Sequence, residues 1–161
     1  MKTMIRLTVL MMLLTSCASR NVFQKKEMAI NKELKLTLDN TATNSDFLSL
    51  FGIYEKAEVV HVKFDASGDF RVEYKSNYLG RNGFKAFKGS FKKNYYEIYL
   101  DKKNVFLPPV YCRTNINRIR LTVLSDSTLV VDQYINRSGM VILFAAGTNY
   151  RNQYSYNKSK S

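Results

Sequence analysis

The fold is decided by residues 57–75, which read AEVVHVKFDASGDFRVEYK. Apolar and polar side chains alternate from Val60 to Phe64, and they alternate again from Phe70 to Tyr74. A period of two is typical of a strand that places one face in a core. Ala-Ser-Gly at 66–68 separates the two segments, and glycine accepts the positive φ that short hairpins need. This stretch therefore predicts an antiparallel hairpin with both apolar faces toward one core.

The same pattern of short alternating segments separated by turn residues continues on both sides of this hairpin. Leu34, Leu36 and Leu38 alternate over 33–39, and residues 45–51 begin with a cap-type residue, which predicts a short helical turn. Further strands are predicted at 84–91, 95–100, 105–107, 116–124, 129–134, 140–146 and 149–156. The continuously apolar run 140–146 predicts a strand buried on both sides, and the polar segments 101–104 and 136–139 predict turns.

Together these segments predict an all-β domain of about eight to ten short strands over residues 33–157. The chain has 11 Tyr and 10 Phe, which favours strands over helices. Hairpin connections indicate an antiparallel barrel or a sandwich. A closed barrel removes exposed sheet edges, so we expect the barrel rather than the sandwich. Residues 158–161 are rich in lysine and are expected to form a frayed tail.

The first 17 residues indicate export. Lys2 and Arg6 precede an uncharged apolar run over 7–14, a combination typical of a signal peptide and too short for a mature transmembrane helix. Leu14-Thr15-Ser16-Cys17 resembles the lipobox of bacterial lipoproteins. The resemblance implies cleavage of residues 1–16 and acylation of Cys17, so that residues 17–32 tether the domain to a membrane. No aspartate follows the cysteine, which favours the outer membrane of a Gram-negative bacterium.

A second resemblance concerns the body of the chain. Phe51-Gly52-Ile53-Tyr54, after a short helical turn and before the hairpins, resembles the Gly-x-aromatic opening of lipocalin-like barrels. Tyr54 stands where that group usually has tryptophan. The resemblance implies an up-and-down barrel whose central cavity holds an apolar or amphipathic ligand.

Charge and cysteine content limit the partners. The formal charge is +12, and it stays near +10 after the predicted signal is removed with Lys2 and Arg6. Such a balance favours anionic partners. If Cys17 is acylated, Cys112 has no cysteine left to pair with, so no intramolecular disulfide is expected. A small buried hydrophobe is the expected role of Cys112.

Basic side chains suggest a candidate face for an anionic partner. Lys85, Lys88 and Lys92 alternate with aromatic residues over 84–93, and Arg118 and Arg120 share one face of a predicted strand. This pattern suits phosphates or a membrane surface, and equally the solvated face of an ordinary strand. The predicted envelope location disfavours nucleic acid.

Catalytic motifs are scarce in the sequence. His61 is the only histidine, which leaves a histidine-based zinc site or a Ser-His-Asp triad without partners. We therefore expect no catalytic residues, metal or cofactor, and a non-enzymatic binding or structural role for an envelope lipoprotein, including the holding of an amphipathic ligand. The alternative is a module that docks on envelope proteins or anionic lipid through its basic aromatic face. An envelope hydrolase is a third hypothesis, which needs Glu97, His61 or tyrosine hydroxyls clustered in one cleft.

Overall fold

A computed structural model describes residues 30, 32–41, 46–107, 110–124, 127–142 and 144–159. These residues form nine strands and one helical turn. The elements are β1 (Lys35–Asp39), α1 (Phe47–Leu50), β2 (Val59–Phe64), β3 (Phe70–Lys75), β4 (Asn82–Phe87), β5 (Gly89–Phe91), β6 (Tyr96–Leu107), β7 (Tyr111–Val123), β8 (Leu129–Val141) and β9 (Phe144–Tyr156).

The strands form two antiparallel sheets, with the orders β1-β2-β3-β4 and β5-β6-β7-β8-β9. Lys88 separates β4 from β5, and a single bridge between Leu38 and Lys158 joins β1 to the segment after β9. The all-β, antiparallel prediction is confirmed. Neither sheet is closed into a barrel, so the expected barrel is replaced by a sandwich-like arrangement. In the predicted terminal tail, Ser159 also donates its backbone N–H to the Thr37 carbonyl at 2.8 Å.

The hairpin predicted from residues 57–75 is present as β2 and β3, with Phe64 opposite Phe70. Gly68 adopts a φ of 82° in the turn, a conformation that residues with a side chain rarely adopt. The Asp65 carboxylate accepts hydrogen bonds from the Ser67 hydroxyl and from the backbone N–H groups of Ser67 and Asp69. The bond from the Ser67 hydroxyl contributes most to lowering the pKa of Asp65.

An aromatic cluster fills the space between the sheets. Phe64 of the four-stranded sheet packs on Tyr96 of the five-stranded sheet, with ring centroids 4.8 Å apart. Phe51 contacts Phe70 and Phe87 with centroid separations of 5.7 and 5.0 Å. Edge-to-face and tilted pairs of this kind stabilise a core beyond their buried area. The interior is therefore packed with side chains where the lipocalin-like resemblance implied a central cavity.

The segment before α1 is held by one amide. Asn40 donates from Nδ2 to the Asp46 carboxylate and to the Ala57 carbonyl, both at 2.8 Å, and accepts from the Phe47 backbone N–H at 2.7 Å. Asp46 caps the helical turn by accepting from the Leu48 N–H. The turn predicted over 45–51 is thus present, and it places Phe51 over the core.

Strands β6 to β9 are longer than predicted. Residues 101–104 lie inside β6, after a register shift between Tyr99 and Asp101, and residues 136–139 lie inside β8. The turns predicted at both places are wrong, because polar residues that lie outside the core on both faces of a sheet resemble a loop in sequence. The apolar run 140–146 is also not one buried strand. It ends β8, turns at Ile142 and begins β9, with Val141 and Phe144 exposed.

These long strands extend past the core as a four-stranded flap. We define the flap as residues 101–107, 111–117, 135–141 and 144–150, which pair directly across β6 to β9. At roughly 3.3 Å per residue, Tyr111 to Asn117 spans about 20 Å. No flap residue belongs to the buried core of the described chain.

Candidate functional site

A cleft of about 530 Å³ opens where the flap leaves the core. It lies between α1 and its following turn, β4 of one sheet, and the core-side face of β6 to β8. Its volume falls within the range of about 300–1,000 Å³ that is usual for small-molecule sites. Three other clefts of the described residues, of about 410, 580 and 330 Å³, fall in the same range, so this cleft is distinguished by its lining and not by its volume.

The floor of the cleft is apolar and belongs to the core. Phe51, Phe87 and Ile98 line it, and each is almost fully buried. Leu100, at the bulge in β6, is half-buried at the wall. Gly52 lies at the rim with a φ of 65°, which lets the chain turn away directly after Phe51. This floor suits the apolar part of a ligand.

The polar side of the cleft carries an unsatisfied amide. Asn117 and Gln133 project into it from neighbouring strands, since both lie on the core-side face of their strands. The Asn117 Oδ1 atom is buried and has no hydrogen-bond partner within the described chain. A buried polar atom without a partner costs about 1–3 kcal/mol. A hydroxyl group of a ligand could satisfy the amide whichever way it points, because a hydroxyl both donates and accepts.

Two lysines from the predicted basic face border the cleft. Lys85 lies on the core-side face of β4, opposite Val72, and donates from Nζ to the Phe51 carbonyl at 3.4 Å. Its ammonium also lies 5.3 Å from the centre of the Phe87 ring. Lys88 lines the same cleft from the residue between β4 and β5. Lys92 instead lies in the β5–β6 turn, where its backbone N–H bonds to the Tyr95 carbonyl.

The two arginines of the predicted face are brought together elsewhere. Arg118 and Arg120 lie on the outer face of β7, opposite the core, and both contact Glu97. The Arg120 Nε lies 2.8 Å and the Arg118 Nε 3.8 Å from Glu97 Oε2. The Tyr99 hydroxyl donates to the other Glu97 oxygen at 3.2 Å. These arginines therefore already have an anionic partner, on a different surface from Lys85.

Of the groups in the hydrolase hypothesis, Glu97 and His61 do not meet in one cleft. His61 is exposed on the four-stranded sheet, where its Nδ1 lies 2.9 Å from the Thr37 hydroxyl, whereas Glu97 lies on the five-stranded sheet. Within the described residues, no three His, Cys, Asp or Glu side chains are close enough to hold a metal ion. Cys112 is a free, half-buried thiol on the flap.

The remaining predicted features divide into two groups. Tyr54, the aromatic residue of the lipocalin-like signature, is 94% exposed, whereas Phe51, three residues earlier, is buried in the core. Cys17, the predicted signal at 1–16 and almost all of the tether at 17–32 lie outside the described residues.

Sequence patterns gave no indication of Asn117 or Gln133, because only strand register brings these two side chains to Lys85.

Comparison with known proteins adds no relative. The chain matches no protein-family model, no curated protein and no solved structure. None of the helices among the described residues has both the length and the apolar character required to cross a membrane.

Proposed function

We propose that this chain is a lipid-anchored envelope protein with a non-enzymatic binding role, and that its cleft holds a small anionic amphiphile. The observation that carries the proposal is the combination of an apolar floor, two lysines and a buried, unpartnered amide oxygen in one cleft. Cys17 supplies the membrane attachment through the lipobox that it completes.

Each part of the cleft selects a part of the ligand. The floor of Phe51, Phe87 and Ile98 favours an apolar tail. Lys85 and Lys88 favour an anionic head group at the rim. Asn117 favours a hydroxyl or amide close to that head group. Because the aromatic cluster fills the interior, the tail occupies the mouth and not a deep central cavity.

The docking alternative has weaker support. It requires Lys85, Lys88, Lys92, Arg118 and Arg120 to act as one surface. The ion pairs of Arg118 and Arg120 with Glu97 leave less free charge for a partner, and Lys85 turns toward the cleft. The lysines therefore support ligand binding more than protein docking.

Titration with two probes tests the cleft. We expect the full chain to bind the anionic fluorophore anilinonaphthalene sulfonate and to release it when dodecanoate is added. Lys85→Glu should weaken dodecanoate binding about tenfold, since it replaces one attraction with one repulsion at a partly exposed site. Lys93→Glu makes the same charge change in the exposed β5–β6 turn and should bind like the parent chain.

A second variant separates the apolar contribution. Leu100→Trp should fill the cleft wall and abolish binding of both probes, while circular dichroism shows that the fold is kept. The proposal fails if Lys85→Glu and Lys93→Glu weaken binding equally, or if Leu100→Trp binds as well as the parent chain. The anchor is tested separately, because Cys17→Ser should abolish incorporation of labelled palmitate into the protein in cells that export it.

A further inference from the structure

The free end of the flap exposes a cluster of apolar side chains. We call it the apolar tip, formed by Val105, Phe106, Leu107, Val110, Val141, Ile142 and Phe144. Phe144 is 84% and Phe106 is 72% exposed. Contiguous exposed apolar surface of this kind marks an interaction site in soluble proteins.

The tip is one surface built from two connections. The backbone N–H of Ile142, at the β8–β9 turn, donates to the Val110 carbonyl, at the β6–β7 connection, at 2.7 Å. Leu107 pairs with Tyr111 and Val141 pairs with Phe144, so both strand pairs end at the same level. Apolar residues from both connections are thus presented together in one direction.

Three basic residues, here called the basic collar, follow the tip on one face of the flap, which continues the core-side face of the five-stranded sheet. Arg113 lies opposite Val105, which is two residues from Leu107 in the direction of the core. Lys103 and Arg137 both lie opposite Asn115, two residues closer to the core than Arg113. All three are exposed. At roughly 3.3 Å per residue, the distance along the strands from Leu107 is about 7 Å to the level of Arg113 and about 13 Å to the level of Lys103 and Arg137. A segment that lies in a bilayer interface buries its apolar face about 5–10 Å deep, which matches this spacing.

The sheet edges limit how deep the tip can enter. Among the described residues, no strand pairs with the outer edge of β9 along the flap, or with β6 beyond Ile98. Unpaired backbone groups are not tolerated in the hydrocarbon core, but they are hydrated at the level of the head groups. The edges therefore exclude a spanning arrangement and permit shallow insertion.

We propose that the apolar tip inserts into the surface layer of a lipid bilayer, with Lys103, Arg113 and Arg137 on anionic head groups. The combination of apolar end, basic collar and matching depth selects a lipid surface as the occupant. This contact uses neither the cleft nor Cys17, so it stands or falls independently of the proposed ligand.

The absence of tryptophan from the sequence makes the test site-specific. Phe144→Trp places a single tryptophan at the tip, and Tyr95→Trp places one at the opposite end of β6 as a matched aromatic control. Both full chains also carry Cys17→Ser, which prevents acylation. The vesicles contain phosphatidylcholine and phosphatidylglycerol, with and without brominated acyl chains.

We expect the Phe144→Trp emission to shift to shorter wavelength on these vesicles and to be quenched by the brominated lipid, while the Tyr95→Trp emission changes in neither way. Adding Arg113→Gln and Arg137→Gln should raise the lipid concentration for half-maximal shift about thirtyfold, from the contribution of each basic residue near an anionic surface. An unchanged Phe144→Trp spectrum overturns the proposal. So does a shift without vesicles that grows with protein concentration, because that outcome identifies a second copy as the partner.

Discussion

Replacing Glu97 by glutamine tests whether the buried charges on the outer face of the five-stranded sheet stabilise the fold. The Glu97 side chain is only 9% exposed, and it lies against two arginines whose side chains are 15% and 18% exposed. Glutamine keeps the shape and an accepting oxygen but removes the charge. The substitution therefore leaves Arg118 and Arg120 close together without their anionic partner.

The expected cost follows from these contacts. The Arg120–Glu97 bond is charge-assisted, and such bonds contribute about 1.5–3 kcal/mol. The longer Arg118 contact adds less, and residual solvent access screens part of both interactions. Removing one partner of a fully buried pair costs about 3–5 kcal/mol, so we place Glu97→Gln below that range, at about 2–3 kcal/mol.

Urea unfolding followed by circular dichroism measures this cost. With a dependence on urea of about 2 kcal/mol per molar, the midpoint should fall by about 1 M. Glu73→Gln is the matched control. It removes the same group from a partly exposed triad of Glu73, Lys63 and Arg71, whose three side chains are 28–36% exposed, and should cost about 0–1 kcal/mol. Equal midpoints for the two variants would refute the argument that burial, and not ion pairing alone, sets the contribution.

Two further predictions concern stability. The hydrogen bond from the Lys63 ammonium lowers the pKa of Glu73 from its ordinary value of 4.5, and the hydrogen bond from the Ser67 hydroxyl lowers the pKa of Asp65 from 3.8. Both carboxylates therefore stabilise the folded state at pH values above these ordinary values. Their contribution is lost as the pH falls through the lowered pKa values of the folded state. Thermal melts at pH 6 and pH 3 should accordingly differ less for an Asp65→Asn, Glu73→Gln double variant than for the parent chain. Phe51→Ala should cost about 3–5 kcal/mol in urea unfolding because it empties the centre of the aromatic cluster, whereas Phe84→Ala, at an exposed ring beneath Arg71, should cost less than about 1 kcal/mol.

The part of the fold that the sequence predicts is the part that local chemistry determines. Alternation and a glycine turn define the β2–β3 hairpin, and the Asp65 carboxylate holds its turn with contacts to residues at most four positions away. The class of fold follows from repeating this pattern. Two open sheets form in place of a barrel because β4 ends before Lys88 and β5 begins after it in the other sheet. Gly89 marks this break, since a Cβ there would lie 2.5 Å from the Tyr96 ring, but a glycine in a strand pattern does not by itself predict a change of sheet.

The flap could not be predicted, because it violates the assumption behind the pattern. Periodicity identifies strands that bury one face, and flap strands bury neither. Residues 136–139 have the composition of a turn and form regular ladder pairs with residues 113–116. The apolar run 140–146 has the composition of a buried strand and forms an exposed turn. The cleft was missed for a different reason, since Asn117 and Gln133 meet only through strand register.

The cleft and the apolar tip lie on the same face of the five-stranded sheet. Asn117 lines the cleft, and Tyr111, six residues away on the same strand, reaches the tip on the same side because side chains alternate along a strand. Between the two sites that face carries Ile135 and Tyr150, opposite each other on β8 and β9, and then Lys103, Arg113 and Arg137. A tip inserted as far as these basic residues would therefore place the mouth of the cleft about 7–13 Å above the lipid surface, along a strand face that is apolar in part. The outer face carries Glu97 and its two arginines. Under the two proposals, the cleft that binds the amphiphile and the tip that enters the membrane lie on one face. An amphiphile that leaves the membrane at the tip would therefore reach the cleft along that face.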